Sequence, residues 1–255
     1  MAGAAGHVGG MTRARTVLLM LLLGLPGCAA AQVGAPLGPL GPPGRAASSF
    51  PAPVREVAPI VSDRWREEDG RERLGEAAKV LEWLAIRPGM AVADIGAGSG
   101  YYTVRLADRV GPGGRVLAQD VMPDYLAQLR RRVAGRPNVL VGLGEPGDPR
   151  LPPGSVDVAL LVHMYHEVEQ PYALLGNLVP AMRPGGRVAI LDVDDAVLRH
   201  GTPRALLACE LKAAGYRPVA FHWLLEQPPR SEYLAVFEAP SAPMAPGTQA
   251  PNCRP

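Results

Sequence analysis

The stretch Val92-Ala93-Asp94-Ile95-Gly96-Ala97-Gly98-Ser99-Gly100-Tyr101-Tyr102-Thr103 decides the fold. It opens as a short apolar run, breaks into alternating glycines, and continues at helical spacing. A buried strand, a tight turn and a helix are the elements this order predicts. The glycines allow a sharp turn and close approach of a ligand to the backbone. The N–H groups at the helix start lack partners within the helix. A dinucleotide fingerprint needs glycines spaced G-x-G-x-x-G. Here Tyr101 stands at the third glycine position, Gly100 comes one position early, and Asp94 lies two residues before Gly96. That departs from a pyrophosphate cradle and suits an amine-bearing ligand whose ammonium group meets a carboxylate.

Outward from this turn, strands and helices alternate. The spacing predicts a helix over Glu72–Ile86, a strand over Met90–Ile95 and a helix over Ser99–Arg109. Strands are expected at Arg115–Asp120, Val139–Leu143, Val156–Val162 and Arg187–Val193, with helices at Pro123–Ala134, Pro171–Met182 and Pro203–Ala214. Val219–Leu224 and Tyr233–Phe237 close the domain with no helix between them. This is an α/β pattern: a doubly wound, mostly parallel, seven-stranded sheet with an antiparallel hairpin at one edge.

In such a sheet, ligands bind beyond the carboxyl ends of the strands. Asp94 and the glycine turn follow the first strand. Asp120 ends the second, where a carboxylate can accept both hydroxyls of a ribose. Glu145 and Asp148 follow the third, and either can accept from an adenine amino group. The fourth ends in His163-Met164-Tyr165-His166-Glu167. His166 or His163 is a candidate general base, and Tyr165 a candidate pocket wall. His163, His166 and Glu167 also cluster in sequence, but this spacing is too weak for a ligand set, and no metal is expected.

The quoted stretch resembles motif I of class I S-adenosylmethionine-dependent methyltransferases. Val116-Leu117-Ala118-Gln119-Asp120 is similar to their second motif. Leu151-Pro152-Pro153-Gly154-Ser155-Val156-Asp157 resembles their approach to the fourth strand, and Met182-Arg183-Pro184-Gly185-Gly186-Arg187 their turn into the fifth. The likeness spans about residues 72–238 and is nearest in flavour to ubiquinone/menaquinone-biosynthesis-like small-molecule methyltransferases. It implies a Rossmann-like fold and S-adenosylmethionine as cofactor. It implies that Asp94 with Gly96, Ala97, Gly98, Gly100 and Tyr101 holds the methionine end, Asp120 the ribose, and Glu145 or Asp148 the adenine. It also implies attack by a small-molecule nucleophile on the sulfonium methyl. An NAD-dependent enzyme or a nucleotide-sugar enzyme is the competing reading of such a sheet, and Tyr101 argues against it.

The 255 residues carry a net charge of +2, with 47% hydrophobic and 20% charged residues. That suits one globular domain with tails and excludes a dominant nucleic-acid footprint. Gly (30) and Pro (28) are abundant, chiefly near the two ends. Arg13 and Arg15 precede the apolar run Val17–Leu25, and Leu25-Pro26-Gly27-Cys28 resembles a lipobox ahead of Ala29-Ala30-Ala31. Basic, apolar and small-residue regions in that order describe an export signal.

The expected organisation is therefore a signal at 1–31, a Pro/Gly/Ala-rich linker at 32–61, the domain at 62–239 and a disordered tail at 240–255. The chain is expected outside the cytosol, periplasmic or tethered to a membrane through lipidated Cys28. A cytoplasmic location follows if the signal is spurious. Cys209 reads as a small core residue and Cys253 as a tail residue without a role. Three scattered cysteines do not make a disulfide framework. Export sits uneasily with a cofactor made in the cytosol, so an exported, non-catalytic binding module of the same fold is the alternative function.

Overall fold

The computed structural model describes residues 1–6, 36–60, 68–249 and 252–254. The expected export signal, with Cys28, lies outside the described residues. Among the described residues seven strands form one sheet in the order β3-β2-β1-β4-β5-β7-β6. They are β1 (Ala91–Ile95), β2 (Arg115–Asp120), β3 (Val139–Leu143), β4 (Val156–Val162), β5 (Met182–Val193), β6 (Arg217–Leu225) and β7 (Glu232–Glu238). The first five run parallel, and β7 pairs antiparallel with both β5 and β6. Strand order reverses between β1 and β4, so the crevice for a ligand opens there.

Six helices accompany the sheet among the described residues: α1 (Glu68–Leu74), α2 (Glu76–Trp83), α3 (Tyr101–Val110), α4 (Pro123–Arg132), α5 (Pro171–Leu178) and α6 (Arg204–Ala213). The helix expected over Glu72–Ile86 is two helices. Gly75 sits at φ +62° between them, a conformation that ends one helix and redirects the next. Leu74 is consequently exposed rather than part of the apolar face. Helix α3 buries Tyr102, Leu106 and Val110, spaced four apart, against the sheet. A Cβ at Gly100 would stand 2.3 Å from Leu129 Cδ1, so glycine there lets α3 and α4 close on the turn.

The expected linker is packed on the domain along its described residues 36–60. Gly38 O accepts from Leu143 N at 2.9 Å beside edge strand β3, and Gly41 N donates to Arg150 O at 2.6 Å. Asn177 bonds the backbone of Arg45 in both directions. Phe50 is buried in the core against Gly176, where a Cβ would meet its ring at 2.2 Å. Composition pointed to an extended tether, but Leu40, Phe50 and Arg55 supply anchors that composition averages away.

The tail expected to be disordered is also corrected along its described residues. Met244 joins the core, and its carbonyl accepts from Arg45 at 2.6 Å. Cys253 is buried and forms a disulfide with Cys209 across 44 residues of sequence, contrary to the roles expected for both. Sequence spacing could not show this, because α6 brings Cys209 to the tail only in three dimensions.

Candidate functional site

A cavity of about 440 Å³ lies at the switch point, beyond the ends of β1, β2 and β4. That volume is within the usual range for small-molecule sites, roughly 300–1,000 Å³. Gly96, Ala97, Gly98 and Tyr101 form one wall, and Asp120, Met122 and Tyr125 another. Glu145 reaches in from beyond β3, while His163, Met164 and Glu167 come from beyond β4.

The glycine turn is built for this position. Gly96, Gly98 and Gly100 all have positive φ, of +69°, +53° and +93°. A Cβ at Gly96 would press on Met164 Cγ at 2.9 Å, whereas one at Gly98 would meet no atom within 4 Å. Main chain is thus laid open at Gly98 and tightly backed at Gly96. Asp120 fixes the turn: its Oδ2 accepts from Gly98 N and its Oδ1 from Met122 N, both at 2.9 Å. A carboxylate has about four acceptor positions, so Asp120 can also accept from a ligand. Burial raises the Asp120 carboxyl, and those N–H donors pull it back.

Asp94 is placed differently from Asp120. It does not line the cavity but lies buried under the turn, accepting from Thr103 Oγ1 at 2.6 Å. Burial pushes its carboxyl up to about 6, against the Thr103 hydrogen bond and helped by the nearby Asp120 charge. Gly100 likewise stands behind the wall, shaping rather than lining it. Glu145 lines the cavity and pairs with Arg150 at 2.6 Å. Asp148 faces away, accepting from Gly44 N and Arg150 N.

A buried carboxylate makes stability depend on pH. Between about 4 and about 6 the folded chain keeps a proton on Asp94 that the unfolded chain has lost, so this group's contribution falls as pH rises through that window. Asn at position 94 can still accept from Thr103 and carries no charge. Asp94→Asn should therefore gain on the wild type by roughly 3 kcal/mol between pH 4 and pH 7, at about 1.4 kcal/mol per pKa unit. Urea unfolding at both pH values checks this; an equal stability difference at the two would refute it.

The residues after β4 divide between two faces. His163, at φ +51°, lines the cavity, and burial with the Arg71 charge lowers its pKa to about 3. It is neutral throughout the physiological range and a weak proton acceptor. Tyr165 and His166 do not line the cavity. Tyr165 OH donates to Glu210 Oε2 at 2.9 Å on α6. His166 Nδ1 lies 3.0 and 3.1 Å from the two oxygens of Asp192, at the end of β5.

Several lining residues escaped the sequence reading. Met122, Tyr125 and Gln128 follow β2, where the strand-end rule applied to Asp120 could have found them. Glu68 and Arg71 lie on α1, which precedes every strand, and no sequence signal marked them.

Among the described residues, Glu68, Asp120, Glu145, Glu167 and Glu169 line the cavity together with Arg71. Glu68 and Arg71 are themselves paired, with Arg132 and Glu76. Such a lining favours a cationic ligand. S-adenosylmethionine carries a sulfonium, an ammonium and a ribose diol. The open glycine backbone, the spare acceptors of Asp120 and the acidic lining fit all three.

Comparison with known proteins agrees. Residues 93–190 match the model of a methyltransferase domain family. An arsenite methyltransferase of Halobacterium salinarum is 32% identical over 146 residues, which cover 50% of this chain and 37% of the relative. Nocamycin O-methyltransferase of Saccharothrix syringae is 31% identical over 116 residues, covering 45% and 41%. The chain thus spans well under two thirds of these relatives. The crystal structure of an S-adenosylmethionine-dependent methyltransferase from Aquifex aeolicus superposes with a TM-score of 0.60 at 25% identity, covering 66% of this chain and 92% of that one. Together these support a methyltransferase of class I fold, with S-adenosylmethionine as its cofactor.

Proposed function

We propose that the chain transfers the sulfonium methyl group of S-adenosylmethionine to a small-molecule acceptor. The observation that carries this reading is the acidic cavity at the switch point, walled by the glycine turn and by Asp120. When bound, the cofactor supplies an electrophilic methyl group. The protein's own residues bind, orient and enclose. Gly96–Gly98 present backbone to the methionine end. Asp120 accepts from the ribose hydroxyls while keeping its hold on Gly98 and Met122. Glu145, Met122 and Tyr125 flank the space left for the adenine. Met164, His163 and Glu167 face the acceptor side, and most of the rate comes from proximity and orientation there. Tyr165 and His166 act as positioning residues, since their polar atoms are tied to α6 and β5.

Titration calorimetry of S-adenosylmethionine into the full chain tests the binding. NAD should give no heat. Asp120→Ala loses charged hydrogen bonds and should bind roughly ten- to hundredfold more weakly. A folded wild-type chain that binds no S-adenosylmethionine would instead favour the non-catalytic exported module.

We further propose that the chain works in an oxidising compartment, exported by its first 31 residues. The Cys209–Cys253 disulfide supports this, because such bonds persist outside the reducing cytosol. Cell fractionation with thiol counting is the test. A cytosolic chain with both thiols free would refute it.

A further inference from the structure

The turn after β4 and the β5–α6 connection bring together a second group of residues, whose capacity to ligate a cation the methyl-transfer reading does not use. His166, Glu167 and His200 bring one possible ligand atom each within 4.8 Å of one another. His166 and Glu167 belong to the turn after β4. His200 comes from the connection between β5 and α6, where its φ of +58° turns the chain.

His166 is the informative member. Its side chain is fully buried, and Nδ1 points at Asp192. An ionised carboxylate only accepts, so Nδ1 carries the proton and Nε2 keeps a lone pair. Asp192 is itself held by Thr202 Oγ1 at 2.6 Å and Val193 N at 2.8 Å, so the ring is firmly oriented. Among the described residues Nε2 has no hydrogen-bond partner, and Glu167 Oε1 is 3.9 Å away. A buried imidazole nitrogen with a lone pair that no described hydrogen bond uses, a carboxylate behind its other nitrogen, and a second imidazole and a carboxylate in front is the layered arrangement of histidine metal ligands.

We propose that His166 Nε2, Glu167 and one ring nitrogen of His200 bind a divalent transition cation, with zinc the first to test. Two histidines and a carboxylate suit zinc with a fourth position open. Zinc bonds of about 2.0–2.2 Å in tetrahedral geometry place donors roughly 3.3 Å apart. The side chains would therefore close by about an ångström. Glu167 also lines the cofactor cavity, so the ion would sit at the wall of the acceptor side. The neighbouring trio of Glu76, His163 and Glu232 is a poorer candidate. There the Arg71 guanidinium is ion-paired with Glu76 and repels a second cation.

The test uses the untagged full chain, stripped with a chelator, dialysed against zinc and desalted. Metal analysis should find one zinc per chain, and cobalt in its place should give the visible absorption of a four-coordinate site. Glu167→Gln keeps the shape of the side chain, and His200→Asn suits the left-handed backbone. Each should lower zinc affinity at least tenfold, while His163→Gln should not. Circular dichroism establishes folding, and if His200→Asn fails to fold, Glu167→Gln decides alone. The proposal is overturned if the folded wild type retains no zinc. It is equally overturned if folded variants at 167 and 200 bind as the wild type does, or if the loss follows His163→Gln instead.

Discussion

Arg55→Ala should destabilise the chain by about 3–5 kcal/mol, the usual cost of removing one partner from a buried ion pair. Arg55 and Glu210 are both buried, with Nε donating to Oε1 at 3.0 Å. The same guanidinium donates to the carbonyls of Tyr165 and Val168 at 3.0 and 3.1 Å. Its loss removes the donor of two carbonyls and the cation of a buried carboxylate, which keeps its bond from Tyr165 OH. Burial already raises the Glu210 carboxyl, with Arg55 as the main opposing influence. In the variant that carboxyl rises further. The folded chain then holds a proton that the unfolded chain releases just above its ordinary value, so stability falls as pH rises through that interval. The deficit should be largest at neutral pH and shrink toward pH 4. Denaturant unfolding across this range measures it. Replacing both partners, as in Arg55→Met with Glu210→Met, should recover most of the loss, because no unpaired charge remains. A single variant as stable as the double would refute the argument.

That ion pair also shows what the sequence could and could not reveal. Strands β2, β3 and β4 stand where periodicity placed them, because apolar runs buried on both faces are a strong local signal. The strand-end rule likewise brought Gly96, Gly98, Asp120, Glu145 and His163 to one cavity. The rule does not say which way a residue faces beyond a strand. His163 turns toward the cavity, while Tyr165 and His166 turn to Glu210 and Asp192. Those partners come from α6 and β5, 45 and 26 residues later in sequence. The strap at 36–60 was illegible for a related reason. Proline and glycine dominate its composition, but Phe50 and Arg55 find their sites on parts of the chain more than 100 residues away.

Reducing the Cys209–Cys253 disulfide should cost about 4 kcal/mol by loop entropy for a closed segment of this length. For a domain of this size that is a fall in Tm of roughly 8–16 °C. Cys209→Ser should reproduce it, and reductant should then have no further effect on that variant. The consequence is not confined to the tail. Cys253 packs with Ala58 of the strap, Val197 of the β5–α6 connection and Leu206 of α6. Arg45 of the strap holds the tail a second time through Met244. Ala58 N in turn donates to His166 O at 3.0 Å. The disulfide thus closes a belt of strap, tail and connection around the turn that carries His166 and Glu167. Reduction should loosen that turn before it unfolds the sheet. Hydrogen exchange should show faster exchange at residues 163–168 and 195–202, with β1 and β4 still protected. Uniform loss of protection across the sheet would show that the belt is not a separable unit.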